Sequence, residues 1–166
     1  NTGPLNVTAA DWNPSSNYDN DGNLSVSWTA SSSIDVASYD LEIHSNSSCS
    51  SIDGAAVNVT TTSANHTVLG GDGDYYFRIN PIDNLGNKTI GPCSTSNKIT
   101  VDTIDPAAAS SLSFTESSPY SGTSLTANWT INETLSQISD QEILLYLNGT
   151  CTGTEDSVAS IGFSIA

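Results

Sequence analysis

Leu24-Ser25-Val26-Ser27-Trp28 places an apolar residue at every second position with a serine between. Successive side chains of a strand point to opposite faces, so this run has one side for a core and one for water. Asp19-Asn20-Asp21-Gly22-Asn23 before it is a polar turn, and Ser31-Ser32-Ser33 after it opens a loop. The pattern returns late in the chain, where Ser25-Val26-Ser27-Trp28-Thr29 answers to Thr126-Ala127-Asn128-Trp129-Thr130. Pro4 answers to Pro106, Tyr39-Asp40-Leu41 to Gln141-Glu142-Ile143 and Cys49 to Cys151, at a spacing of about 100 residues. That period is a whole β-sandwich, too long for a solenoid or propeller unit.

Copy one runs on for about fifty residues past Cys49, whereas copy two stops soon after Cys151. Residues 1–104 therefore read as one complete domain and 105–166 as the N-terminal part of a second, so the chain is expected to be a piece of a longer array. Asp102-Thr103-Ile104-Asp105-Pro106 is the linker. It is short and ends in proline, which predicts two domains in line with restricted rotation. Asn1-Thr2-Gly3-Pro4 reads as chain interior, with export directed by a segment outside these residues.

The 166 residues hold 18 acids against three bases, Arg78, Lys88 and Lys98, for a formal net charge of −15. Nucleic acid or an anionic membrane surface would be repelled, so neither is expected as a partner. No apolar run approaches membrane-span length. Short alternating runs of Val, Ile, Thr and Tyr between turn signals make this an all-β chain.

The remaining strands of residues 1–104 are read at Leu5–Thr8, Tyr39–Ile43, Val57–Val59, His66–Leu69, Tyr75–Ile79 and Lys98–Val101. Seven strands with turn signals at this spacing predict a two-sheet sandwich. Its expected core is Leu5, Val7, Leu24, Val26, Trp28 and Tyr39, continued by Leu41, Ile43, Leu69, Tyr75, Phe77 and Ile79, with Ile34 tucked inward.

These landmarks resemble the fibronectin type III domain over residues 4–103 and the front of the second copy. The family pattern is met by Val26-Ser27-Trp28, by Tyr39 about ten residues on, and by Leu69 six residues before Tyr75. Tyr75-Tyr76-Phe77-Arg78-Ile79 and the turn Asp83-Asn84-Leu85-Gly86-Asn87 complete it. The resemblance implies tandem immunoglobulin-like (fibronectin type III) β-sandwiches, the second incomplete, of the kind found in long bacterial surface proteins. Trp28 is then expected between the sheets, and Tyr75 with its ring buried and its hydroxyl tying down the start of its strand. Gly86 supplies the positive φ of its turn. Pro81 departs from the pattern, and the strand is expected to bend or end there because proline removes a ladder donor.

Three cysteines in an acidic chain suggest disulfide chemistry. If the last strand starts straight after Asp83–Asn87, Cys93 lies near Phe77 and can bridge Cys49, leaving Cys151 unpaired. If that strand starts late, Cys93 lies at the opposite pole and bridges run between repeats. The intradomain pair is the favoured reading.

Little else carries chemistry. Asp19, Asp21 and Asn23 have the spacing of half a calcium loop but lack the downstream Glu of an EF-hand, so a β-turn is the first reading and calcium the alternative. No other metal or cofactor is expected. Gly70-Gly71-Asp72-Gly73-Asp74 lacks the Lys-Ser/Thr of a phosphate loop. His44 and His66 lack metal-ligand spacing, and no Ser-His-Asp arrangement can be assigned, so the chain is not expected to be an enzyme. Asn-x-Ser/Thr occurs at Asn6, Asn23, Asn46, Asn58, Asn65 and Asn87, and again at Asn128, Asn132 and Asn148. Roughly four or five would arise by chance, a mild excess that fits either a Ser/Thr-rich surface or a glycosylated coat.

The expected function is a non-catalytic extracellular segment of a multi-repeat cell-surface protein, most simply a bacterial one, that spaces or presents binding surfaces. Its partners would be protein or glycan ligands and neighbouring repeats. Contacts are expected on the loops Asn13–Asn23, Ser45–Gly54 and Asn84–Gly91. Two alternatives are an accessory spacer of a secreted glycan-degrading enzyme and a filament subunit that self-associates by strand exchange.

Overall fold

The computed structural model describes residues 2–13, 15, 17–115, 126–131, 140–145 and 157–162. Contacts divide the chain into two compact units, Asn1–Ile104 and Asp105–Ala166. The described residues form strands, turns and loops, with no helix among them.

Unit 1 carries β1 (Thr8–Trp12), β2 (Tyr18–Asp19), β3 (Asn23–Thr29) and β4 (Val36–His44), then β5 (Val57–Val59), β6 (Ser63–Thr67), β7 (Gly73–Asp83) and β8 (Ile99–Val101). One sheet has the order β1-β3-β6 and the other β2-β8-β7-β4-β5. All pairings are antiparallel except the short parallel one of β2 with β8. Consecutive strands β3 and β4 lie in different sheets, as do β5 and β6, so the chain crosses between layers instead of making one meander. The result is an all-β sandwich of two sheets as expected, with β2 a further short strand beside β8.

Alternation builds the core as expected. Leu24, Val26 and Trp28 of β3 face Tyr39, Leu41 and Ile43 of β4, with Tyr75, Phe77 and Ile79 of β7 alongside. Each such side chain contributes roughly 1.5–3 kcal/mol by leaving water. Trp28 meets the edge of Tyr39 with ring centroids 5.5 Å apart, and Trp12 meets Phe77 at 4.9 Å. Such pairs add about 0.5–1.5 kcal/mol beyond their buried area.

Several local expectations are corrected. The first strand is β1 at Thr8–Trp12, not Leu5–Thr8, and Trp12 supplies the core residue while Leu5 is 63% exposed. The backbone of Leu5 is held by Ser33 and Ser31 hydroxyls, which fix it against the following loop. Val7 only packs against the core margin. The strand read at His66–Leu69 is β6, and Leu69 is 74% exposed because the chain turns there. Ile34 is fully exposed, in a turn that leaves the sheet before β4 begins.

Pro81 does not end its strand, because β7 runs from Gly73 to Asp83, with the ladder to β4 shifting register just beyond it at Ile82 and Asp83. The Pro81 carbonyl accepts the Thr89 N–H, so its nitrogen also faces the returning chain and not the β4 ladder. No bond to β4 is lost.

The return from β7 combines both alternatives for the last strand. Ile82 bridges Lys88 and Ser94 N–H donates to the Phe77 carbonyl, so the chain turns straight back. It then loops out around Thr95–Asn97 and resumes as β8, pairing Ile99 with Tyr75 and Val101 with Gly73. Near Ile79 the return chain comes so close that a Cβ on Gly91 would collide with the Ile79 carbonyl oxygen, while Gly91 N–H bonds the buried Asn80 carboxamide at 2.9 Å.

In unit 2, β9 (Ser110–Phe114) pairs antiparallel with β10 (Ala127–Thr130), as β1 pairs with β3. β11 (Asp140–Leu145) pairs antiparallel with β12 (Ser157–Gly162). Trp129 lies on β10. Cys151 lies outside the described residues.

Gly91→Ala is expected to destabilise unit 1 by about 1–3 kcal/mol, the usual cost of forcing an atom into packed space. Urea unfolding followed by tryptophan fluorescence reads it, and an unchanged midpoint contradicts the packing described.

Candidate functional site

Three polar constellations hold the loops of unit 1, and each uses a side chain that sequence reading had treated as surface or turn. The first is the pole carrying the disulfide. Cys49 and Cys93 are joined, with Cα atoms 5.8 Å apart, within the ordinary range for such a bridge. Ser94 bonds Phe77 through both its N–H and its hydroxyl, which sets Cys93 beside the loop after β4. That loop is tied internally. The Asn46 carboxamide accepts from Ser50 N–H at 3.0 Å and from the Ser48 hydroxyl at 3.1 Å. Ser45 N–H donates to the Ser51 carbonyl.

The second constellation centres on Asp53, which is 7% exposed. His66 Nε2 lies 2.8 Å from its Oδ2, and the N–H groups of Leu69 and Gly70 each donate to it at 2.8 Å. Burial works to raise the Asp53 pKa, but these bonds outweigh it and hold the carboxyl below its ordinary value. Tyr75 closes the same corner by donating its hydroxyl to the Gly71 carbonyl at 2.6 Å. This fulfils the expectation for Tyr75. The sequence places Asp53 in the loop Ser45–Gly54 and gives no sign that β6 would deliver His66 to it.

The third is the turn after β7. Asp83 accepts the side-chain N–H of Asn87 at 2.7 Å and the main-chain N–H groups of Leu85 and Asn87. Asn87's side-chain bond leads the interactions that keep the Asp83 pKa low. Gly86 has φ 84° as the turn requires.

The outer face of β4 and β7 gathers charge. Lys88 Nζ lies 2.9 Å from Asp40 and 3.2 Å from Glu42, and Arg78 lies 3.9 Å from Glu42. Lys98 pairs with Asp74 at 2.7 Å. All three bases of the chain are thus engaged. His44 is buried beside Glu42, and burial, only partly offset by Glu42, holds its pKa below the ordinary value.

The sequence candidates for calcium bend back on their own loop. Asp19 Oδ1 accepts Gly22 N–H at 2.6 Å and Asp21 N–H at 3.2 Å, and Asp21 Oδ1 accepts Asn23 N–H. Asn23 stands exposed at the start of β3. These are Asx turns. No group of three or more His, Cys, Asp or Glu side chains converges on a metal position among the described residues. A shallow groove of about 270 Å³ opens between β1 and the return chain, floored by Phe77 and Ile79 and rimmed by Val7, Ala10 and Pro92. No titratable group lines it.

No family model matches the chain, and no curated protein matches it. Among solved structures it is similar to a Fn3-like protein from Clostridium thermocellum, at 15% sequence identity and a TM-score of 0.39. The match covers 60% of this chain and 92% of that one.

Acid is expected to destabilise unit 1 in two stages. His44 is favoured neutral in the fold, so its contribution is present above about pH 6.5 and lost as pH falls below that. The depressed carboxyls, Asp53 among them, contribute above about pH 4 and lose that contribution as pH falls through their folded values. Melting temperatures between pH 8 and 3 read both stages, and Asp53→Asn should flatten the lower one.

Proposed function

We propose that this chain is a non-catalytic structural segment of an extracellular protein, holding binding surfaces at a fixed distance from their anchor. The observation that carries this reading is the Cys49–Cys93 disulfide. Disulfides persist in oxidising compartments and are rare where thiols are kept reduced. Here the bridge spans 44 residues, and closing a loop of that size removes about 4 kcal/mol of chain entropy from the unfolded state.

The polar side chains support the same reading by what they do. Asp53, His66, Asp83 and Asn46 hold loops in place, so the ends of unit 1 are fastened for presentation. A loop fixed before contact loses less entropy on binding than one ordered at that moment. A net charge of −15 keeps such a segment soluble and favours basic or neutral partners. Residues 105–166 would be the front of a second module of the same design, and further copies would add avidity. Protein or glycan ligands remain the partner classes of this proposal, with neighbouring repeats as the constant contact.

Two measurements test it. Antibodies raised against residues 1–104 should label intact source cells or the secreted fraction, and labelling that needs lysis overturns the location. Replacing both Cys49 and Cys93 with Ser should lower the unfolding free energy of unit 1 by about 4 kcal/mol in urea, with the native strand signature retained in circular dichroism.

A further inference from the structure

Asp72 and Asp102 meet where the β7–β8 ladder ends. The last pairs are Tyr75 with Ile99, Asp74 with Thr100, and Gly73 with Val101. One step further along the same register sets Asp72 opposite Asp102. Side chains alternate, so both belong to the face on which the Thr100 hydroxyl bonds Asp74. Like charges directly opposite on adjacent strands repel. Nothing cationic relieves this pair: Lys98, the base on that edge, is engaged by Asp74.

The oxygens themselves give the second observation. Asp72 Oδ1 accepts both the N–H and the hydroxyl of Thr103, at 3.0 and 2.8 Å. Asp102 Oδ1 accepts Ile104 N–H at 3.3 Å. The other oxygen of each, Oδ2, is shut off from solvent and has no hydrogen-bond partner. Asp102 as a whole is only 8% exposed. A buried carboxylate oxygen with no donor loses its hydration without replacement.

We propose that Asp72 and Asp102 form a site for a hard divalent cation of the calcium type, bound through their two Oδ2 atoms. Calcium accepts six to eight oxygens in flexible geometry, whereas magnesium demands a near-ideal octahedron. Two carboxylates make a weak site, in the range of about 10⁻⁴–10⁻³ M typical of extracellular modules. The site is distinct from the Asp19–Asn23 turn, whose Oδ1 atoms are spent on their own backbone. A bound ion would clasp residues 102–104, the last of unit 1, to the start of β7.

The test uses the full chain, freed of metal by chelation. Thermal unfolding is followed in CaCl2 and in NaCl of matched ionic strength, and calcium binding is measured by calorimetry at 25 °C. Calcium should raise the melting temperature beyond the NaCl control. Asp72→Asn and Asp102→Asn should each weaken binding at least tenfold, and Asp21→Asn should leave it unchanged. Should Asp102→Asn fail to fold, terbium luminescence of the native chain decides. It should be sensitised by Tyr75, whose hydroxyl bonds Gly71 next to Asp72, quenched by added calcium, and lost in Asp72→Asn. No calcium-specific shift or heat, binding indifferent to Asp72→Asn, or binding abolished by Asp21→Asn each overturns the proposal.

Discussion

Two sheets that each bury one face against the other set the terms for everything else in unit 1. The period-2 pattern supplies the apolar faces, and the aromatic pairs Trp28–Tyr39 and Trp12–Phe77 fill the space between them. That burial leaves the chain ends of every strand to find partners at the two poles. Single side chains take on this work: Asp53 serves two main-chain donors and a histidine, and Asp83 serves two donors and an amide. The corner at Asp53 is consequently specified by polar atoms 13 to 17 positions away, whereas the turn at Asp83 and the strands are specified by near neighbours.

This division explains what could be read beforehand. The all-β class, the faces of β3, β4 and β7 and the turn at Gly86 follow from local alternation and turn chemistry, which a sequence displays directly, while the roles of Trp28 and Tyr75 came from the resemblance to the fibronectin type III pattern. Trp12 is not legible as a core residue because its closing partner, the Asn97 carbonyl at 3.2 Å, lies in the looped-out stretch before β8. Leu5 and Leu69 looked like core residues by composition. Their backbones are claimed by Ser31, Ser33 and Asp53, and those bonds turn the side chains outward. Pro81 misled for a related reason, since which side of a strand lacks a donor depends on register, a tertiary fact. The Asp53–His66 contact and the meeting of Asp72 with Asp102 likewise require the sheet order.

The acids are not uniform in role. Asp40, Glu42 and Asp74 are matched by the three bases on sheet faces and edges. Asp53 and Asp83 are matched by main-chain donors in the turns. Among the described residues, Asp72 and Asp102 are the two acids left with a buried oxygen that no hydrogen bond satisfies. A surface dominated by one sign of charge thus conceals a gradation from spent to unspent carboxylates, which composition alone cannot reveal.

Under tension the cross-link after β4 has a further effect. The bridged cysteines are 44 positions apart, and β5, β6 and β7 lie inside the closed ring. A chain pulled out straight gains about 3.4 Å per residue, so roughly 150 Å of slack stays locked away even if both sheets come apart. Stretched from its ends, unit 1 would become taut roughly 150 Å sooner than an unbridged chain of the same length, as a strap with a built-in stop.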